Sequence, residues 1–547
     1  MFTLIHNYHP RYTEGLLQNG FFEPGDGLKI TQHYLTPEHM KFNQIAAKDG
    51  ALYRLTKEMA GCFYVDRLQG GTFISHYDFD LALADEYDRI TDGNFLGFQL
   101  HESGGTRALD WWRIQRQLKE TNLPWNLENI LYAVTLISHN KEFPHFSNGF
   151  PEEYAALTPP TTLSEYVADL RGMWHDRQKL LHGRLLNCDC TPMLCGLEKD
   201  VDVKRSFIEV GAQAGLIRQQ LAQRRGISRA AKKKWGVYLE PWGQKNCTAY
   251  LFMRDKSNEW YIDGSTFLYQ ASDGNGGSSM SMARRVMYYA LFGGADYFAE
   301  EWGQANTFYE WDTFELSPYG MMKRDVLRQA RTFGEIRPYV PIAVVIPHEY
   351  VLYSRGGYLP YPNDMVAEEH QDIHKKIHAL LDDGRMIGSE DHVFECGGIG
   401  SLIDIIYDDT YADPAGEYDL IVDFSGRLHG DRIVDGNDSA AVQAAVGTIV
   451  GALPFALETT GGLDYQVFDC DESTYVALYN HKGVTKTAEQ GEFRLAAADA
   501  AYSFKCRDGH LPTVVIPSDG AFDIAEGAVH GRLLGGDMIV FQCYPRR

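Results

Sequence analysis

Six short apolar runs in the first part of the chain end on a carboxylate, or pass through one, just before the backbone turns. They are CFYVDR (Cys62 to Arg67), FLGFQLHE (Phe95 to Glu102), RLLNCD (Arg184 to Asp189), FIEVG (Phe207 to Gly211), VYLEPW (Val237 to Trp242) and ADYFAEEW (Ala295 to Trp302). Helical stretches fall between some of them. LSEYVADLRGMWHDRQKLL carries apolar residues at helical spacing, and MARRVMYYALFGG closes on the glycine pair that a helix C-terminus favours. Alternating strand and helix signals of this kind predict βα units around a parallel sheet.

The pattern changes at Pro338. PYVPIAVVIP reads as a continuous apolar strand, HQDIHKKIHALLDDG as an amphipathic helix closed by Gly384, and YDLIVDF as another buried strand, which together predict a smaller open α/β domain. From about Leu453 only strand signals remain: DYQVFDCDE, STYVALYNHKG, GEFRLAA, PTVVIP and GDMIVFQCYP predict a small antiparallel sandwich.

Composition removes several functions. A chain of 547 residues is long for one ordinary domain. A net charge of −23 opposes a nucleic-acid partner, because phosphate binding needs clustered Lys and Arg. No window approaches twenty apolar residues, so no membrane partner is expected. The first residues, MFTLIHNYHPRYTEG, lack a basic segment followed by an apolar one, and the nine cysteines are read as reduced thiols, so the expected location is cytoplasmic. Cys188, Cys190 and Cys195 cluster in NCDCTPMLC without a second pair or neighbouring His, so no metal and no cofactor is expected.

The chemistry concentrates at strand ends. In a parallel barrel the reacting groups sit where the strands finish, because the βα loops form the open face and the interior is packed shut. Glu240 in VYLEPW occupies such a position, as does Glu300 or Glu301 in ADYFAEEWG, with Trp242 and Trp302 close behind. One strand-end glutamate is usually a solvated ion-pair partner. Two in the same context suit glycoside hydrolysis, which needs one carboxyl to protonate the leaving oxygen and one carboxylate to attack or activate water. Indole rings offer apolar faces to the C–H side of a sugar. Asp66, His101, Glu102 and Glu209 are further candidate ligands for sugar hydroxyls, with Glu102 and Glu209 as reserve acids; Glu209 lies mid-strand, where a structural pairing is the plainer reading. Cys396 in FECGG, with His348, His370, His374 and His378 in the same region, outlines a weaker thiol-nucleophile alternative; the three helix histidines at i, i+4, i+8 share a face that solvation would explain. SDGNGGSS (Ser272 to Ser279) lacks the ending of a phosphate loop, and in WDTFELSPYG the Ser317-Pro318 step reads as a helix cap beside Glu315.

With VYLEPWG, the later GGADYFAEEWG and the order of the three regions in view, the chain resembles the retaining glycoside hydrolases of the clan that contains the family 42 β-galactosidases. The resemblance implies a (β/α)8 TIM-like barrel over residues 1–337, an amidotransferase- or flavodoxin-like α/β domain over 338–452 and a C-terminal antiparallel β-sandwich over 453–547. It implies a carbohydrate substrate and leaves homo-oligomerisation open. In that clan the acid/base glutamate follows the fourth strand, usually in Asn-Glu-Pro, and the nucleophile follows the seventh. Carried over, Glu240 is the acid/base and Glu301 the nucleophile, with Leu239 standing where the clan has asparagine. The competing class is a carbohydrate-binding protein that keeps the barrel without catalysis.

Overall fold

The structure is a computed structural model that describes residues 2–31, 41–69, 79–137, 151–189, 196–211, 217–240, 252–258, 279–301, 303–348, 350, 368–381, 399–411, 416–487 and 491–543. Eight parallel strands close into a barrel: β1 (Thr3–Asn7), β2 (Gly27–Thr31), β3 (Cys62–Gln69), β4 (Phe95–His101), β5 (Leu185–Asp189), β6 (Arg205–Gly211), β7 (Trp235–Glu240) and β8 (Tyr297–Glu300), the last pairing back onto β1. All six strands expected from the sequence are present. The first two were not expected, and that omission displaces every later strand number.

The reason is physical. β1 and β2 are five residues each, and β2 reads GLKIT, with a lysine in its centre. Lys29 is fully buried, its ammonium 2.5 Å from Asp66 on β3 and 4.5 Å above the ring of Tyr238 on β7. A lysine pointing into the barrel breaks the apolar pattern that a strand reading looks for, and only a partner on another strand makes its burial tolerable.

Inward and outward residues alternate along each strand. Ile5, Cys62, Tyr64, Leu96, Leu186, Cys188, Phe207, Tyr238, Tyr297 and Ala299 fill the interior as one cluster, while Phe98, Val210, Leu239 and Phe298 pack outward beneath the helices. β4 changes phase once. Its pairing with β3 slips between Phe95 and Gly97, and Gly97 takes φ +124°, so that Leu96 faces in while Phe98 and Leu100 face out. After this bulge, Gln99 and His101 point into the barrel.

Beyond the barrel, β9 (Ile336–Pro338) runs antiparallel to a strand of the C-terminal region. β10 (Ile342–Ile346), β11 (Ile403–Tyr407), β12 (Leu420–Asp423) and β13 (Ile433–Asp435) form an open parallel sheet in the order β11-β10-β12-β13. The C-terminal strands are β14 (Phe455–Thr459), β15 (Asp464–Cys470), β16 (Ser473–Tyr479), β17 (Val484–Thr487), β18 (Gly491–Arg494), β19 (Ala500–Cys506), β20 (Thr513–Ile516), β21 (Phe522–Ala525), β22 (Ala528–Leu533) and β23 (Met538–Cys543). They make two antiparallel sheets, β14-β19-β22-β21 and β20-β23-β16-β15-β9, and the hairpin β17-β18.

One barrel helix joins the three parts. Ile217–Ala230, which follows β6, sends Arg218 to Asp464 on β15 and both Arg225 and Arg229 to Asp404 on β11. Among the described residues no helix is long and apolar enough to cross a membrane.

Candidate active site

The C-terminal ends of β4, β6, β7 and β8 carry the acids. Glu240 is the last residue of β7 and Glu301 follows β8 directly, which corrects the placement after the fourth and seventh strands that the resemblance implied for them. They stand on neighbouring strands: β7 pairs with β8, and the Glu301 N–H donates to the Leu239 carbonyl at 2.9 Å. A single long βα connection containing the helix Met280–Phe292 separates them, where three such units were expected. The residue that follows the fourth strand is Glu102.

Around His101 these ends meet. Its Nε2 lies 3.7 Å from a carboxylate oxygen of Glu209, 3.9 Å from one of Glu102 and 4.0 Å from one of Glu301. The imidazole also meets the ring of Tyr238 edge-on, with centroids 5.6 Å apart. Glu240 is two residues beyond Tyr238 on the same face of β7, and it packs against Gly211 at the end of β6, where a β-carbon would collide with its carboxylate. Three acids, on or just after β4, β6 and β8, therefore border one imidazole, and Glu240 stands at the end of β7 beside Gly211. Burial separates them. The Glu209 and Glu301 side chains are 2% exposed and Glu240 is 0% exposed, whereas the Glu102 side chain retains 15%.

Glu102 is also held in an unusual backbone state. It takes φ +48°, ψ +29°, the left-handed region that costs a non-glycine residue about 1 kcal/mol or more, and its side chain does not cap the helix Ser103–Glu120 that it precedes. The conformation is fixed on both sides: the Glu102 N–H donates to the Cys188 carbonyl at 2.8 Å, and Asp189 accepts from the Gly104 N–H at 2.8 Å.

Other expected ligands lie elsewhere. Glu300 turns outward between the barrel and the helix Pro318–Ala330, where it binds the Lys323 ammonium and accepts from the Tyr319 hydroxyl at 2.5 Å. Burial alone would lower the Lys323 pKa, but the Glu300 charge beside it holds it above the ordinary value. The substrate role expected of Glu300 is thereby corrected: strand alternation puts it on the helix side and Glu301 on the pocket side. Asp66 is committed to the Lys29 pair and to the Tyr238 hydroxyl, which donates to it at 3.1 Å. Trp242, Trp302, Cys190, Cys195 and Cys396 lie outside the described residues. Ser317 caps its helix as expected, accepting from the Gly320 N–H at 2.9 Å. Among the histidines near Cys396 in sequence, His374 is buried at 2% exposure, which corrects its reading as solvated, and Ile373 and Ile377 on the same helix are buried with it.

The sequence reading missed Lys29, Gln99 and Tyr238 as interior groups. Tyr238 was within reach, since a residue two before Glu240 on a strand shares its face. Gln99 was not, because its inward direction depends on the bulge at Gly97.

No protein-family model and no curated protein sequence matches the chain. Over its whole length it is similar to solved β-galactosidases. One from Bacillus circulans sp. alkalophilus aligns over 99% of this chain and 98% of its own at 10% identity and a TM-score of 0.45. A family 42 enzyme from G. stearothermophilus aligns over 100% and 98% at 9% identity and a TM-score of 0.44. The enzyme from the Antarctic haloarchaeon Halorubrum lacusprofundi aligns over 99% of each chain at 9% identity and a TM-score of 0.41.

Proposed function

We propose that this protein is a retaining glycoside hydrolase acting on a small oligosaccharide or glycoside, with Glu240 as nucleophile and Glu102 as acid/base. The observation that carries the reading is the convergence of carboxylates from β4, β6, β7 and β8 on one end of a closed parallel barrel, the end at which such barrels do chemistry. Glu102 protonates the glycosidic oxygen as Glu240 attacks the anomeric carbon. The C–O bond to the leaving group breaks, and a covalent glycosyl ester forms on Glu240. Glu102, now ionised, takes a proton from water as it attacks the ester and releases the sugar.

Strand count supports this pairing, since these acids stand after the fourth and seventh strands, the positions used in the clan that the sequence resembles. Accessibility supports it too: a proton donor must reach the leaving group, and Glu102 is the acid with exposed surface. Glu301 remains the alternative partner because it adjoins Glu240 on the next strand. His101, Glu209 and the indoles of Trp242 and Trp302 are assigned to substrate binding.

A panel of aryl glycosides tests the reading. Glu240→Gln is expected to abolish turnover. Glu102→Gln is expected to lower it about 10²- to 10⁴-fold for glycosides with poor leaving groups, and far less for activated aryl groups that depart without a proton. If Glu301→Gln shows that leaving-group dependence instead, Glu301 is the acid/base. If the wild type binds sugars and cleaves none, the protein is the carbohydrate-binding alternative.

A further inference from the structure

Two cysteines meet between the sheets of the C-terminal region, outside the barrel. Cys506 is the last residue of β19 and Cys543 the last of β23, and these strands belong to different sheets. Alternation fixes the direction of each thiol. Along β19, Tyr502, Phe504 and Cys506 are buried while Ala501 and Lys505 are exposed, so Cys506 shares the inner face with Phe504. Phe541 and Cys543 stand in the same relation on β23, and both are buried. The rings of Phe504 and Phe541 stack across the gap between the sheets, with centroids 4.3 Å apart and planes 9° from parallel. Each thiol lies two residues beyond its ring, and the thiols act on one another directly. Cys543 donates to the Cys506 sulfur, which pulls the Cys506 pKa below its ordinary value and pushes that of Cys543 up. The buried thiols Cys62, Cys188 and Cys470 are pushed up by burial instead.

We propose that Cys506 and Cys543 are an oxidation site, at which a small hydroperoxide converts the thiol pair into a disulfide that fastens the two sheets together. A buried cysteine by itself behaves as a small apolar residue. Two of them on the facing surfaces of a sandwich occupy the arrangement that carries the inter-sheet disulfide of antibody domains. The class of oxidant follows from access. Cys506 is 5% exposed and Cys543 3%, which leaves little room for a bulky reagent, but both end their strands, and Arg507 and Asp508 directly after Cys506 are exposed. Cys506 is the thiol that ionises first, and the thiolate is the nucleophile. Its sulfur attacks one peroxide oxygen, the O–O bond breaks, and hydroxide leaves to take up the thiol proton as water. The sulfenic acid so formed is attacked by the Cys543 sulfur; the S–O bond breaks, the second water carries away the Cys543 proton, and the S–S bond closes. Two thiols are oxidised and one hydrogen peroxide is reduced to two waters. The new bond closes the chain between β19 and β23 into a loop, which restricts the unfolded state and stabilises the folded one.

Hydrogen peroxide is the probe. The full-length chain is reduced, freed of reductant, treated with peroxide and alkylated in denaturant. The number of thiols that react is expected to fall by two from nine, and dithiothreitol to restore it. Digestion should yield one linked peptide pair, joining Cys506 to Cys543 and lighter by two hydrogens than its reduced halves. The oxidised chain should melt at a higher temperature than the reduced one. Cys506→Ser and Cys543→Ala, each checked for folding by circular dichroism, should abolish both the link and the shift, and either suffices if the other does not fold. Cys470→Ser should retain both. Nine reactive thiols after peroxide, a link between other cysteines, or Cys506 recovered as sulfinic acid with Cys543 free would each overturn the proposal. A linked chain that melts no higher than the reduced one would overturn the fastening of the sheets.

Discussion

Lys29 shows how a single residue can be both indispensable and illegible. Its charge is compensated by Asp66 and by the faces of Tyr238 and Tyr64, none of them near it in sequence. Removing one member of a fully buried pair leaves the other as an uncompensated charge, which costs about 3 to 5 kcal/mol. Lys29→Met is therefore expected to lower stability by about that amount in urea titration, and Lys29→Met with Asp66→Leu to recover much of it. Equal destabilisation of the single and double variants would show that the pair is not the source of the effect. The same argument separates Glu300 from Glu301. Neighbours in sequence, they face opposite sides of β8, and only Glu301 reaches the pocket.

At the scale of elements, β4 decides the site. Without the slip at Gly97 its alternation would carry His101 to the helix side, and no ring would stand among the acids. The position requires glycine twice over: φ is +124°, and a β-carbon would collide with the Arg184 carbonyl on the approach to β5. Gly97→Ala is expected to cost at least about 1 to 3 kcal/mol in backbone strain alone. The loss should appear in chemical denaturation together with reduced turnover. Wild-type activity in a destabilised Gly97→Ala would show that the bulge does not aim His101. The helix Ile217–Ala230 is the other decisive element, since its arginines reach two carboxylates on separate sheets and tie the barrel to both.

For the whole molecule, the junction between barrel and C-terminal sheets predicts a pH response. Arg285, from the helix after β7, lies 3.0 Å from His481 Nδ1, and His481 Nε2 lies 3.1 Å from Asp464. Arginine only donates, so Nδ1 accepts and the ring proton sits on Nε2, donated to Asp464: the histidine is held neutral. Burial lowers its pKa from 6.5 to about 4. Burial would raise Asp464, but Arg218 and His481 outweigh that and hold it below its ordinary value. The unfolded chain therefore binds a proton that the folded one refuses between pH 6.5 and 4, so stability is full above 6.5 and falls as the pH drops through that window. The fall amounts to at most about 3 kcal/mol, since each tenfold difference in proton affinity between the two states is worth about 1.4 kcal/mol. Thermal melts at pH 7 and pH 5 should show it in the wild type, and His481→Gln should flatten the difference. An unchanged slope in that variant would move the effect to another group.

What the sequence determined by itself was the local pattern: strand and helix periods, the cap at Ser317, and the placement of Glu240 and Glu301 at strand tips, because apolar period and turn chemistry are properties of neighbouring residues. What tertiary structure alone decided was the numbering of the strands and the membership of the site. β2 is a strand because Asp66 neutralises its lysine, and Glu102, His101, Cys188 and Glu209 come together because closing the barrel sets the ends of β4, β5 and β6 side by side. Contacts of that kind join residues far apart in sequence, 37 positions in the case of Lys29 and Asp66, and no local window contains both partners.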